Sequence, residues 1–245
     1  MNLPTQKTKP KQSLSDYTIL LYGQPKIGKS TFASKFDNAL FLDTEHGLNS
    51  LETYHVTIND WMDMLEACRQ ISEGKHNFKT IIIDTIDSAI RLASEYVCDK
   101  YSTDKRKIDH ESDIGSMGKG FHLVSDEIMR VLRKLSGLPY GLMLISHAKT
   151  AHIITQGKEY DKIMPTLSDS IRKQVLGFVD IILYADIIYD QEAKAYKRIL
   201  RSKPSNDYEA GDRTGRLGDV IDLKFEEFAS AFNGAKQPIK KEGEK

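Results

Sequence analysis

Two cysteines in 245 residues, Cys68 and Cys98, stand far apart in helix-like segments and show no metal-ligand spacing. A disulfide framework and a zinc ribbon are both excluded on that ground, and a reducing cytoplasm is the expected setting. Excess charge of either sign is also absent. Lysine plus arginine and aspartate plus glutamate both number 35, which is not the balance of a strongly basic nucleic-acid binder, although basic segments remain possible locally. No apolar run approaches the roughly 18–20 residues that span a bilayer, and the start of the chain carries no apolar core, so no membrane partner is expected. No internal repeat is present.

Against these absences stands one complete motif. Residues 23–30 read Gly-Gln-Pro-Lys-Ile-Gly-Lys-Ser, the G-x-x-x-x-G-K-S phosphate-binding loop. An apolar run, 17–22, precedes it, and Thr31-Phe32-Ala33-Ser34-Lys35-Phe36 can open a helix behind it. In that setting the backbone of Gly23, Gln24, Pro25, Lys26, Ile27, Gly28, Lys29, Ser30 and Thr31 wraps a triphosphate. Lys29 reaches the β- and γ-phosphate oxygens, and Ser30 ligates Mg²⁺. The ligand expected from the loop alone is a nucleoside triphosphate.

Short apolar runs at 17–22, 39–43, 79–84, 140–146, 179–188 and 195–202 read as strands. Ile81-Ile82-Ile83 and Leu142-Met143-Leu144-Ile145 are unbroken, as in strands covered on both faces. Trp61, Met64, Leu65, Cys68 and Ile71 repeat at helical spacing behind an Asn59/Asp60 cap; further helices are expected after 85 and over 121–136. The alternation predicts an α/β fold, a mainly parallel sheet flanked by helices with a C-terminal antiparallel hairpin. Residues 1–15 read as a disordered basic leader, 16–233 as the domain, and 234–245 as a flexible tail. The segments 100–120 and 148–166 are polar and without periodicity, and read as long loops, either functional or disordered.

Other residues gather at the carboxyl edge of this expected sheet. Asp84 ends the strand Ile81-Ile82-Ile83, the form of a metal-facing acid, although a strand-end Asp that caps the next helix is the plainer alternative. Glu45 follows the second strand and can polarise an attacking water, unless it is an ordinary surface glutamate. His147 closes another strand and can sense the γ-phosphate, or be an ordinary partly exposed histidine.

Together these residues resemble the RecA family, and within it the small phage ATPases of single-strand annealing and phage nucleotide-binding proteins of AAA-domain type. The resemblance runs over about residues 17–203. It implies a RecA-type P-loop NTPase core with Mg²⁺, Glu45 as general base, Ser30 and Asp84 as metal residues, and His147 in the place of a sensing glutamine. It further implies that Arg201 and Lys203, on Ile199-Leu200-Arg201-Ser202-Lys203, reach a neighbouring subunit's ATP in a homo-oligomer. Single-stranded DNA is the implied partner, with a single-strand-binding protein as a further one. Contacts would come from Lys105, Arg106, Lys107 and Lys119 in the first loop and Lys149, Lys158 and Lys162 in the second. Interleaved acids (Asp104, Asp109, Glu111, Asp113, Glu159, Asp161) leave a plain solvated-loop reading open. Two other classes also stay open: a nucleotide-switched binding module controlling a replication partner, and a P-loop small-molecule kinase.

Overall fold

In the computed structural model, residues 5–155 and 158–234 are described, together with Leu3. In chain order the elements are β1 (Thr18–Gly23), α1 (Lys29–Ala33), β2 (Ala39–Asp43), β3 (Tyr54–Thr57), α2 (Trp61–Glu73), β4 (Thr80–Asp84), α3 (Ile86–Tyr101), α4 (Lys119–Ser136), β5 (Gly141–Thr155), β6 (Lys158–Pro165), α5 (Asp169–Phe178), β7 (Ile181–Asp190), β8 (Ala195–Arg201), β9 (Gly211–Asp212), β10 (Val220–Asp222) and α6 (Phe225–Gly234). The strands join in the order β10-β8-β7-β1-β5-β4-β2-β3, with β6 added to β5 and β9 to β7. The strands from β7 through β1, β5, β4 and β2 to β3 run parallel. β7 and β8 form the expected antiparallel hairpin. In this order the phosphate-loop strand β1 and the acid-ending strand β4 are separated by β5.

Alternation along the strands divides the interior in two. Leu20, Leu42, Ile81, Ile83, Leu142 and Leu144 point to a core closed by α2, α3, α4 and α5. Ile19, Leu21, Phe41, Ile82, Met143 and Ile145 point the other way, to a core closed by α1 and α6. There Phe32, Phe36, Phe225 and Phe228 pack edge-on and tilted. Both faces of β1, β4 and the first part of β5 are therefore covered, which is why those runs are continuously apolar. Asp60 and Thr85 cap α2 and α3 through their side chains.

The expected loop at 148–166 is a correction. β5 does not stop at Ser146 but continues to Thr155, and β6 returns beside it in register from Ala148↔Pro165 to Thr155↔Lys158. The run Thr150-Ala151-His152-Ile153-Ile154-Thr155 has β-branched residues suited to extended backbone. Its polar alternate positions fit a ribbon with one face in water. The segment 100–120 holds a single 3-10 turn, Glu111–Asp113, pinned against α3 and α4 with Ile108 and Ile114 buried. The last leader residues lie against the domain: Arg216 donates to the Lys11 and Gln12 carbonyls, and Tyr17 Oη donates to Lys11 O. Of the expected tail, Gly234 ends α6 and residues 235–245 lie outside the described residues.

Two helical glycines test this packing with opposite signs. A Cβ on Gly120 would stand 1.8 Å from Glu111 O, whereas one on Gly177 meets nothing within 4 Å. Gly120→Ala is expected to lower stability by about 1–3 kcal/mol, because backbone must move to relieve the clash. Gly177→Ala is expected to raise it by up to about 1 kcal/mol, through helix propensity and a less free unfolded chain. Urea unfolding midpoints of the two variants against the parent decide both.

Candidate nucleotide site

The phosphate loop crosses from β1 to α1 with Lys26 at φ 62° and Gly28 at φ 109°. A Cβ at Gly28 would be strained there and would also meet the Arg198 guanidinium at 3.2 Å. Gly23 is glycine for a different reason. A Cβ on it would come within 2.7 Å of Ala185 O on the adjacent β7. The Lys29 ammonium is buried within the loop it belongs to, donating to Gly23 O and Gln24 O at 2.9 Å each. Burial lowers its pKa, opposed by the nearby charges of Asp84, Asp87 and Glu45.

Parallel register brings the acids to the same edge. Gly23 on β1 lies beside His147 on β5, and Asp43 on β2 lies beside Asp84 on β4. Ser30 Oγ donates to Asp84 Oδ2 at 2.6 Å. Asp84 is 7% exposed, and burial raises its pKa, with the Ser30 bond pulling the other way and Glu45 and Asp43 adding to the rise. A hydroxyl and a carboxylate facing each other beside a phosphate loop are the oxygen donors that a hard divalent cation takes, so Ser30 and Asp84 fit Mg²⁺.

Two threonines lock the ends of β2 and β4 together. Thr85 N donates to Thr44 Oγ1 at 2.9 Å, Thr44 Oγ1 donates to Thr85 O at 2.9 Å, and Thr44 N donates to Asp84 O at 2.9 Å. Asp43 Oδ1 accepts from the Glu45 and Gly47 amides and shapes the turn that follows. Glu45 thereby faces α3. Its Oε1 accepts from Thr85 Oγ1 at 2.6 Å, from Ser88 Oγ at 3.1 Å and from His147 Nε2 at 3.3 Å. Burial alone would raise its pKa, but the Thr85 and Ser88 hydrogen bonds and His147 outweigh burial and leave it lowered. His147 Nδ1 is buried with no partner among the described residues. The His147 amide and Ser146 Oγ both donate to Asp87, at 3.2 Å each, and burial raises the Asp87 pKa.

A cleft of about 410 Å³ joins these groups, lined by the phosphate loop and by Asp43, Glu45, Asp84, Thr85 and His147 among others. Lys29, Ser30, Glu45, Asp84 and His147 are thus brought together. Arg201 and Lys203 are not. Arg201 pairs with Tyr184 across the β7–β8 ladder, on the face opposite α1, and Arg201 Nε donates to Asp186 Oδ2 at 2.8 Å beside the Tyr208 ring. Lys203 follows β8, half-buried.

The residues named for DNA are spread over two features. In the first segment Lys107 pairs with Asp109 at 3.0 Å, Arg106 Nη2 donates to Asp113 O, and Lys119 lies over the Tyr101 ring, while Lys105 is exposed. On the ribbon Lys149 Nζ donates to Leu167 O and Lys162 is half-buried; the side chain of Lys158 lies outside the described residues.

Sequence reasoning missed Thr44, Thr85, Ser88, Asp87 and Arg198. Asp87 sits in the first turn of α3, where an acid reads as ordinary helix capping. Arg198 carries a legible signal, because alternation from buried Leu200 puts it on the α1 face. Its Nη1 donates to Ile27 O at 3.2 Å.

Over 228 residues the chain is 25% identical to an uncharacterized protein derived from the SPbeta prophage of Bacillus subtilis strain 168, YorG. That match covers 89% of this chain and spans 65% of the relative's length. Among solved structures it is similar to the flagellar accessory protein FlaH of Methanocaldococcus jannaschii (TM-score 0.45, 10% identity, 84% of each chain). It is also similar to a KaiC-like protein, PH0186, of Pyrococcus horikoshii OT3 (TM-score 0.43, 14% identity, 76% of this chain and 78% of that one). The family model described as AAA domain matches residues 15–214. That span takes in every residue of the cleft, and the chain belongs to the AAA domain family.

Proposed function

We propose that this protein hydrolyses ATP and couples the hydrolysis to single-stranded DNA in phage recombination or replication, working as an oligomer. The observation that carries the hydrolytic half is Glu45, a carboxylate oriented by two hydroxyls and an imidazole at the edge of a lysine-bearing phosphate cleft. A lowered pKa keeps Glu45 ionised, ready to take a proton from the attacking water. Lys29 offsets charge on the phosphate oxygens from within the loop. Mg²⁺, held by Ser30 and by Asp84 directly or through water, would neutralise the developing charge on the transferred group. His147 touches Glu45 with one ring nitrogen and is held at its backbone by Asp87.

The DNA half is supported by continuity. His147 lies within β5, and the same strand runs on without a break into the ribbon that carries Lys149 and Lys162. A shift at His147 is therefore transmitted as a shift of a hydrogen-bonded ladder rather than of a slack loop. Sequence-blind phosphate contacts by such lysines suit single strands of any composition. The trans role for Arg201 and Lys203 requires a second subunit at the cleft, with the Arg201–Asp186 pair giving way to an ATP contact.

Three measurements follow. Glu45→Gln should abolish phosphate release while leaving ATP affinity unchanged. Normal turnover in the variant removes Glu45 as the base. Asp84→Asn should raise the melting temperature at neutral pH. The raised pKa means that the fold favours the protonated acid, so its destabilising charge is absent below the ordinary 3.8 and fully present above the raised folded value. Activity should fall in the same variant. Finally, affinity for a labelled oligonucleotide should fall linearly with salt on logarithmic axes and depend on a slowly hydrolysed ATP analogue. No binding at low salt leaves an ATPase with another partner.

A further inference from the structure

The β7–β8 hairpin rises past the end of β1. Gly23, the last residue of β1, is in register with Ala185, yet β7 continues to Asp190. Up to Ala185 the odd-numbered residues of β7 (Ile181, Leu183, Ala185) are buried against the core closed by α1 and α6. Beyond Ala185 the same face continues with Ile187 and Tyr189, and none of the described residues covers it: Ile187 is 45% and Tyr189 54% exposed. Cross-strand pairing puts Arg198 opposite Ile187 and Tyr196 opposite Tyr189, so all four share this face. Tyr196 is 80% exposed, and its ring meets that of Tyr189 at 5.4 Å and 72°. At about 3.3 Å per residue the Ile187–Arg198 pair stands roughly 7 Å beyond the loop's strand end and the tyrosine pair roughly 13 Å beyond it.

Arg198 ties this face to the phosphate loop. Its guanidinium donates to Ile27 O and stands 3.2 Å from the place of a Gly28 Cβ, with Leu223 at 3.7 Å from the same point. Among the described residues no carboxylate lies within ion-pair distance of Arg198, although its neighbour Lys197 pairs with Asp222 at 2.6 Å. The face therefore begins with an uncompensated cation on the phosphate loop and ends in two aromatic rings. That sequence, cation and then apolar platform, matches a nucleoside triphosphate read from its phosphates to its base.

We infer that the α1-side face of the β7–β8 hairpin is the nucleoside subsite, with the base lying against Ile187, Tyr189 and Tyr196. Arg198 is a positioning residue that fixes the loop against the hairpin. The inference rests on the reading of the loop as a triphosphate site and extends it to the part of the substrate that the loop does not touch. Stacking on aromatic rings is tolerant of base identity, so purine triphosphates in general are accommodated, with the larger ring system favoured.

The test compares Mg-ATP with Mg-tripolyphosphate, which shares the phosphates and lacks the nucleoside. Both are measured by displacement of a fluorescent ATP analogue, with the melting temperature of each variant as a control on folding. Tyr189→Ala combined with Tyr196→Ala, and separately Ile187→Ser, should weaken ATP by about five- to 150-fold and leave tripolyphosphate unchanged. Arg198→Ala should weaken both ligands, and Arg198→Lys should restore part of the loss. Equal losses for the two ligands in the hairpin variants, or none, overturn the subsite. So does a change in oligomeric state with an unaltered ATP affinity, which would make the face a contact between copies. If the parent binds neither ligand more tightly than Lys29→Ala does, the triphosphate reading itself fails, and the subsite with it.

Discussion

Parallel register is the constraint on which this protein depends. Four strands of unequal origin in the chain must reach the same edge in a fixed register for the site to exist: Gly23 beside His147, His147 two residues past the Asp84–Ile145 pair, and Asp84 beside Asp43. A slip of one residue in any pairing would turn every side chain of that strand to the opposite face. The two cores prevent it, because Leu20, Ile83 and Leu144 suit only one layer and Leu21, Ile82 and Ile145 only the other. Burial of the apolar faces thus does more than stabilise the domain. It sets which acids share the cleft.

The charges so gathered are held at some thermodynamic cost. Asp84 and Asp87 are acids whose burial disfavours their charged forms, and Lys29 is a base disfavoured in the same way. They offset one another in part, and hydroxyls from Ser30 and Ser146 supply hydrogen bonds. Glu45 is the exception, with enough donors around it to outweigh burial. A site that combines reluctant charges with one well-satisfied carboxylate is organised around a negatively charged ligand and a cation, not around its own stability.

Beyond the level of Gly23 two antiparallel extensions continue from the sheet. β5 with β6 projects beyond His147, and β7 with β8 projects beyond Ala185. The first extends the strand that touches Glu45, and the second reaches back to Ile27 through Arg198. Each is a hydrogen-bonded ladder rooted in the parallel core.

The phosphate loop, Asp84 and the alternation of strands and helices were legible in the chain because each is local: contiguous residues with a fixed backbone geometry, or an apolar run with an acid at its end. The continuation of β5 into a ribbon was not, since polar strands carry no burial signal and are recognised only by the partner strand beside them. Nor were the Thr44–Thr85 lock, the hold of Asp87 on His147, or the reach of Arg198 across 171 positions to Ile27. The amino-acid sequence by itself determined that a triphosphate loop opens an α/β domain. Only the tertiary structure decided which side chains complete the cleft, because hydrogen bonds between strand ends depend on register, and register is set by packing over the whole sheet.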